Sequence, residues 1–262
     1  MANARACPIP LAEGISTARS SGSPTCAGLL RFKQRTDYIV TELRDCQDAG
    51  KSGLVCAFPD GDAPLREILD AKRFVGVPWY TMDKIFAGLL DAHLHTHNRA
   101  ALDVLVKLSD WAIAHTRHLS DGQFQRMLDT EHGGMNEVLA DVYGLTGETR
   151  FLTLAERFCH RKLLVPLVQG LDTLDGLHSN TQIPKVIGFN KIHEVTGKRD
   201  YGAASRYFWR TVITQRTFAT GGNGDREHFF PPAEFLRRGS KHVDRDFSFA
   251  VRVAENVSAG ED

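Results

Sequence analysis

Four short stretches hold most of the side chains whose types and spacing suit chemistry. D-T-E-H-G-G-M-N-E, Asp129 to Glu137, packs one histidine and three carboxylates around a glycine pair just ahead of an apolar helical run. D-G-L-H-S-N-T-Q-I-P-K, Asp175 to Lys185, sets His178, Asn180, Thr181 and Gln182 immediately before a helix. A-T-G-G-N-G-D-R-E-H-F-F, Ala219 to Phe230, carries Glu227 and His228 after a glycine-rich bend. V-P-W-Y-T-M-D-K-I, Val77 to Ile85, adds Trp79, Tyr80 and Asp83. A polyhydroxylated ligand needs donors and acceptors gathered in one place, and Trp79 and Tyr80 offer apolar faces to a sugar ring. Each stretch also has a plainer reading: Asn180 or Thr181 can cap a helix, and His132 can be a hydrogen-bonded core histidine. Four such stretches on one scaffold weigh toward a site.

Two other groupings look reactive and are read as structural. His93, His95 and His97 in A-H-L-H-T-H-N resemble a metal cluster, but on a helix only the first and last share a face. Cys159 and His160 are adjacent on a helix and point apart. Cys46, in E-L-R-D-C-Q, and Cys159, beside Phe158, read as packed thiols. The residues therefore define no metal site.

The elements that must position these stretches are helical. Apolar residues recur at helical spacing at Leu30, Tyr38, Ile39 and Leu43, at Ile85, Leu89 and Leu90, and at Leu102, Leu105, Leu108 and Trp111. Strand alternation is nearly absent. A repeat emerges when T-H-N-R-A-A-L-D-V-L at Thr96, T-G-E-T-R-F-L-T-L-A at Thr146 and T-G-K-R-D-Y-G-A-A-S at Thr196 are laid over one another, and aromatics follow at Phe158 and Phe208. Each unit predicts a helical hairpin, with Thr-Gly at the short connection where glycine takes positive φ. Hairpins of this kind stack as a solenoid or close into an α/α toroid, with polar loops at one end. From Leu29 to about Gln215 the chain is expected to be almost wholly helical, with at least three antiparallel hairpins.

Composition excludes several function classes. The 262 residues are 42% hydrophobic and 24% charged, with 32 basic and 32 acidic side chains. A balanced charge gives no field for nucleic acid or an anionic membrane, and no apolar run approaches the roughly 18 residues that span a bilayer. The start lacks the apolar core of a signal peptide. Five scattered cysteines with no C-x-x-C pair suit reduced thiols, so a cytoplasmic setting is expected. Oligomeric state is not legible.

Taken in order, V-P-W-Y-T-M-D-K-I-F-A-G-L-L-D-A, E-H-G-G-M-N-E-V-L-A-D-V-Y-G-L-T-G, H-S-N-T-Q-I-P-K-V-I-G and A-T-G-G-N-G-D-R-E-H-F resemble the catalytic domain of glycoside hydrolase family 127, the β-L-arabinofuranosidase family, from about Leu29 to Phe235. The resemblance implies an all-α fold, an (α/α)6 toroid, and retaining cleavage of non-reducing-end arabinofuranosides. It also implies a zinc-bound cysteine thiolate as nucleophile and a glutamate as general acid/base. Carried over by motif, that glutamate is Glu227, while His132 and His178 resemble residues that hydrogen-bond the sugar.

Two departures qualify the resemblance. Where the family usually has Tyr-Thr-Leu-His-Lys, this chain reads Y-T-M-D-K, so Asp83 replaces a substrate-facing histidine. After F-F-P-P-A-E-F the family's Glu-Thr-Cys motif and later cysteines have no counterpart. The expected organisation is a loose tail over 1–28, helical-hairpin repeats forming a partial toroid over 29–235, and a divergent tail over 236–262. The expected function is a glycosidase fragment binding an arabinofuranoside-type glycan, without turnover and without a cofactor in this chain, zinc being expected in full-length members. A non-catalytic carbohydrate-binding or vestigial helical domain is the alternative, and a sugar epimerase rests on analogy of fold alone.

Overall fold

The structure is a computed structural model that describes residues 26–69, 76–218 and 221–232. Residues 1–25 and 233–262, where sequence places most of the two tails, lie outside the described residues, and the first helix already begins at Cys26. Among the described residues there are ten helices and no strand, only isolated bridging pairs. The fold is all-α. The chain divides into two compact units between Gln123 and Phe124.

The first unit holds α1 (Cys26–Gly50), α2 (Ala63–Leu69), α3 (Pro78–Thr96) and α4 (Arg99–Thr116), and α5 (Asp121–Met127) begins within it. Helices α3 and α4 form a hairpin against which α1 packs. On α1 the inward face is Val40, Leu43 and Gln47, whereas Leu30 and Tyr38, apolar positions in the sequence pattern, are exposed. Buried Gln47 ties α1 to α4 by donating to the Val104 carbonyl at 3.0 Å. Asn98 caps α4 by accepting from the Ala101 N–H at 3.0 Å and reaches α1 by donating to Asp37 at 2.8 Å.

The second unit holds α6 (Met135–Thr146), α7 (Thr149–Arg157), α8 (Arg161–Val168), α9 (Ser179–Thr196) and α10 (Arg199–Gln215). Helices α6 and α7 form one hairpin and α9 and α10 another. Helix α9 contacts α6, α7, α8 and α10 and is buried along nearly its whole length, as a helix surrounded by others must be. It is the axis of the unit's core, and its N-terminal end carries the second chemical stretch.

The sequence repeat is one turn built three times. Helices end at Thr96, Thr146 and Thr196, and the next residue is left-handed each time: His97 at φ 56°, Gly147 at 72° and Gly197 at 71°. Each threonine hydroxyl donates back to the carbonyl four residues earlier, at Ala92, Val142 and Ile192. The same oxygen accepts from the N–H two residues on at Glu148 and Lys198. His93 Nδ1 meets the Asn98 carbonyl at 3.2 Å as His193 Nδ1 meets the Lys198 carbonyl at 3.0 Å. The first histidine of A-H-L-H-T-H-N is thus a clasp of the turn.

Candidate active site

In the second unit the loop before α9 and the loop before Phe230 run side by side. The Gly176 N–H donates to the Phe229 carbonyl at 2.8 Å, and the Phe229 N–H returns a bond to Leu177 at 2.9 Å. Phe229 and Phe230 are buried, Phe229 against Phe208 and Phe230 against Phe218, so the two phenylalanines anchor the loop. Arg216, buried at the end of α10, bonds Asp172 at 2.6 Å, Asp175 at 2.7 Å and the Phe230 carbonyl. One guanidinium therefore ties both loops to the helix. Its planar fork suits several acceptors at once.

Glu227 stands at the tip of that second loop. Asp225 and His228 exchange backbone bonds at 2.9 and 3.2 Å around Arg226 and Glu227, whose φ values are 52° and 66°. Two positive φ values between paired ends define a type I′ turn, a geometry that favours Asn-Gly. Placing arginine and glutamate there costs about 1–2 kcal/mol per residue. The strain is offset by Ser179, whose N–H and hydroxyl both donate to the Glu227 carbonyl, at 2.7 and 3.0 Å. Its carboxylate is left 63% exposed. Strain of this kind in a loop tip is a mark of functional placement.

His178 is the N-cap of α9, and it caps with its ring. The Thr181 N–H donates to His178 Nδ1 at 3.1 Å. Nδ1 is therefore an acceptor, and the ring presents Nε2–H to Glu227 Oε2 at 3.2 Å. The Thr181 hydroxyl lies 2.7 Å from the same Nδ1 and 3.2 Å from His132 Nε2. His132 and His178 meet edge to face at 5.5 Å between ring centroids, and His228 meets His178 at 5.2 Å. The structure thus gathers His132, His178 and Glu227, with Thr181 and His228, at the start of α9.

The H-G-G segment reaches this place because both glycines are needed, for different reasons. A Cβ on Gly133 would fall 2.0 Å from the Lys185 backbone nitrogen, so only glycine lets the loop touch α9. Its N–H then donates to the Thr181 carbonyl at 3.3 Å. Gly134 takes φ 124° as the N-cap of α6. Asn136 is buried across the helix pair and donates to the Lys185 carbonyl at 2.8 Å, in the space Gly188 leaves open. The opening stretch is both helix start and site edge.

Beneath it lies a second polar cluster that sequence reasoning did not assemble. Lys185, 1% exposed, donates to the Leu128 carbonyl at 2.9 Å and to His160 Nδ1 at 3.0 Å. His160 Nε2 then faces Asp129 at 3.3 Å. Burial pushes the Lys185 amine down to about 8, while the Asp129 and Glu131 carboxylates pull the other way. Burial, reinforced by the Lys185 charge, pushes His160 well below its ordinary value. Glu131 is fully buried near this charge. The one available signal was spacing: Thr181 and Lys185 lie four apart, on one face of a helix that starts at Ser179. Nothing in the sequence marked Arg216.

The remaining sequence candidates sit as follows. Gln182 is buried in the first turn of α9, and Asn180 beside it keeps a buried Oδ1 with no hydrogen-bond partner among the described residues. Trp79, Tyr80 and Asp83 lie in the first unit, on α3. Trp79 is 1% exposed and packs against Trp111 and His115, so its indole is core and offers no open face. Asp83 is buried beside Lys84 at 3.1 Å, and Lys84 also sits over the Tyr80 ring at 4.3 Å.

Set against known families, residues 26–243 match the model described as beta-L-arabinofuranosidase, GH127 catalytic domain. No curated protein matches the chain.

Proposed function

Since the chain belongs to the glycoside hydrolase family 127 catalytic domains, we propose that its second unit receives a non-reducing-end arabinofuranoside against His132, His178 and Glu227, with Glu227 as the general acid/base. The observation that carries this reading is Glu227 itself, a carboxylate raised on a strained turn and held 3.2 Å from His178 Nε2–H. Protonating a glycosidic oxygen requires a carboxyl that ligand can reach and that its neighbours orient. Asn180, with an amide oxygen still open, offers a further acceptor for a sugar hydroxyl. Gln182 enters as a further sugar-contacting candidate of the second unit; Tyr80 and Asp83, on α3 of the first unit, remain candidates on their motif alone, and the buried Trp79 serves better as packing for α3.

The zinc–thiolate half that the family implies does not fit the described side chains. Among the described residues no three His, Cys, Asp or Glu groups are gathered to hold a metal ion. Cys159 is buried and its thiol is pushed up to about 12 by desolvation, and burial also raises Cys56. A nucleophilic cysteine needs the opposite shift. No step is therefore routed through zinc. Glu227 alone supplies acid/base assistance of about 10² to 10⁴-fold, and retention also requires a nucleophile. The 262 residues by themselves are proposed to bind the sugar without appreciable turnover, and the high Cys159 value favours this non-catalytic reading. Free Cys46, Cys56 and Cys159 support a reducing, cytoplasmic setting, and among the described residues no helix is long and apolar enough to cross a membrane.

Single-turnover assays on aryl β-L-arabinofuranosides, with and without added zinc, test the proposal. The expected result is no product above background in either case. Zinc-dependent hydrolysis abolished by Glu227→Gln would overturn the non-catalytic half of the reading and keep the sugar site.

A further inference from the structure

We propose that Thr181 is a positioning residue, whose hydroxyl carries a one-way hydrogen-bond relay from His132 through His178 to Glu227. The inference rests on the sugar-site reading for its purpose and on geometry alone for its direction. The direction follows from a donor that cannot rotate. The Thr181 N–H belongs to the first turn of α9 and is shared between the His178 carbonyl and His178 Nδ1, each 3.1 Å away, so that nitrogen faces a donor and carries no proton of its own. The Thr181 oxygen lies 2.7 Å from the same lone pair. Two lone pairs do not approach so closely, so the hydroxyl proton lies between them and Thr181 donates to His178.

A hydroxyl that has spent its proton can only accept. His132 Nε2, 3.2 Å from the Thr181 oxygen, is therefore the donor of that contact. The other end is set in the same way, because His178 must carry its proton on Nε2 and offers it to Glu227 at 3.2 Å. His132, Thr181 and His178 thus pass hydrogen-bond polarity toward the carboxylate, and no proton need leave any of them. Chains of aligned bonds strengthen one another in a partly dry site. A sugar hydroxyl that draws on the His132 ring is then felt at the acid/base group through Thr181 and His178. Thr181 is 7% exposed, which shields the relay from water.

Imidazole ¹⁵N spectra of the ligand-free 262-residue chain read the relay directly, since protonated and bare ring nitrogens differ widely in shift. The expected pattern is Nε2 protonated on both His132 and His178. In Thr181→Val the His178 pattern persists, because the backbone N–H that fixes it remains. His132 loses its preference for Nε2–H, with a tautomer ratio altered roughly 3- to 10-fold, the worth of one such bond. Thr181→Ser restores it. A bare Nε2 on His132 in the unaltered chain overturns the proposal without any variant, and so does a Thr181→Val spectrum indistinguishable from that of Thr181→Ser. Methyl β-L-arabinofuranoside is the second probe: it should perturb His178 strongly with threonine or serine at position 181 and several-fold less with valine. Failure of that probe to bind any variant strikes the sugar-site reading, while the ligand-free spectra still decide the relay.

Discussion

Helix α9 supports two imidazole–carboxylate pairs one turn apart, and their difference lies in solvent. At its N-terminus Thr181 meets His178 Nδ1, and His178 turns Nε2 to Glu227. Four residues along, Lys185 meets His160 Nδ1, and His160 turns Nε2 to Asp129. The outer pair is reachable, with His178 at 26% and Glu227 at 63% side-chain exposure. The inner pair is drier at its imidazole, with His160 at 8% and Asp129 at 45% side-chain exposure, and it hangs from a lysine that is 1% exposed. Buried, such a chain fixes the loop that carries His132 onto the helix that carries His178. Open, it presents a carboxylate to a ligand. On the proposed reading, the same bonding pattern is scaffold in one place and chemistry in the other.

The largest effect that would break this comparison is at Lys185. Lys185→Ala leaves a cavity and deprives both His160 and the Leu128 carbonyl of a donor, and it is expected to cost about 3 kcal/mol or more of stability in urea denaturation. Glu227→Gln, on the exposed pair, is expected to change stability by about 0.5 kcal/mol or less in the same assay. Equal losses at the two positions would dissolve the distinction between scaffold and site.

Gly133→Ala comes next. Its Cβ would meet backbone atoms of α9, which cannot swing away as a side chain can, so a loss of about 1–3 kcal/mol is expected. Because the displaced segment carries His132, the His132 ring resonances should shift together with the loss. Gly147→Ala, where nothing stands near the added carbon, should cost only the left-handed strain of about 1 kcal/mol and leave His132 unmoved.

A smaller effect sharpens the electrostatic side. Lys185 is pushed from 10.5 to about 8 in the folded chain, so above pH 8 the unfolded chain binds more protons at this group and stability rises with pH. The slope approaches about 1.4 kcal/mol per pH unit. From about pH 9 the buried Cys159 thiol, raised from 9.0 to about 12, works in the opposite direction because the unfolded chain loses that proton first. Chemical denaturation at pH 8 and 9 should therefore show a gain that vanishes in Lys185→Met, the substitution that keeps most of the side-chain volume. A gain of the same size in Lys185→Met would place its source elsewhere.

Much of the fold was legible because a threonine and a left-handed residue recur at one spacing and glycine announces the turn in two of the three copies. Where glycine is replaced, at His97, the turn persists and the histidine clasp at His93 takes part in it. The loops that carry His132, His178 and Glu227 were legible as dense polar stretches beside glycines. What held them together was not. Arg216 and Lys185 are ordinary basic residues on helices until the fold buries them, and burial depends on contacts from segments 14 to 57 residues away. Trp79 erred the other way: an aromatic beside Tyr80 has the same sequence signature whether it faces a ligand or, as here, Trp111. The outward Leu30 and Tyr38 show likewise that helical spacing gives a face without saying which side meets the core.

The measurement that bears most directly on the sugar site is a titration of the 262-residue chain with methyl β-L-arabinofuranoside, followed at the histidine ring resonances and in the solution for released methanol. The account predicts saturable shifts at His132 and His178, weakened by Glu227→Gln, with no methanol formed. Saturable binding that leaves both rings untouched, or no binding at concentrations where related sugars also fail, would contradict it.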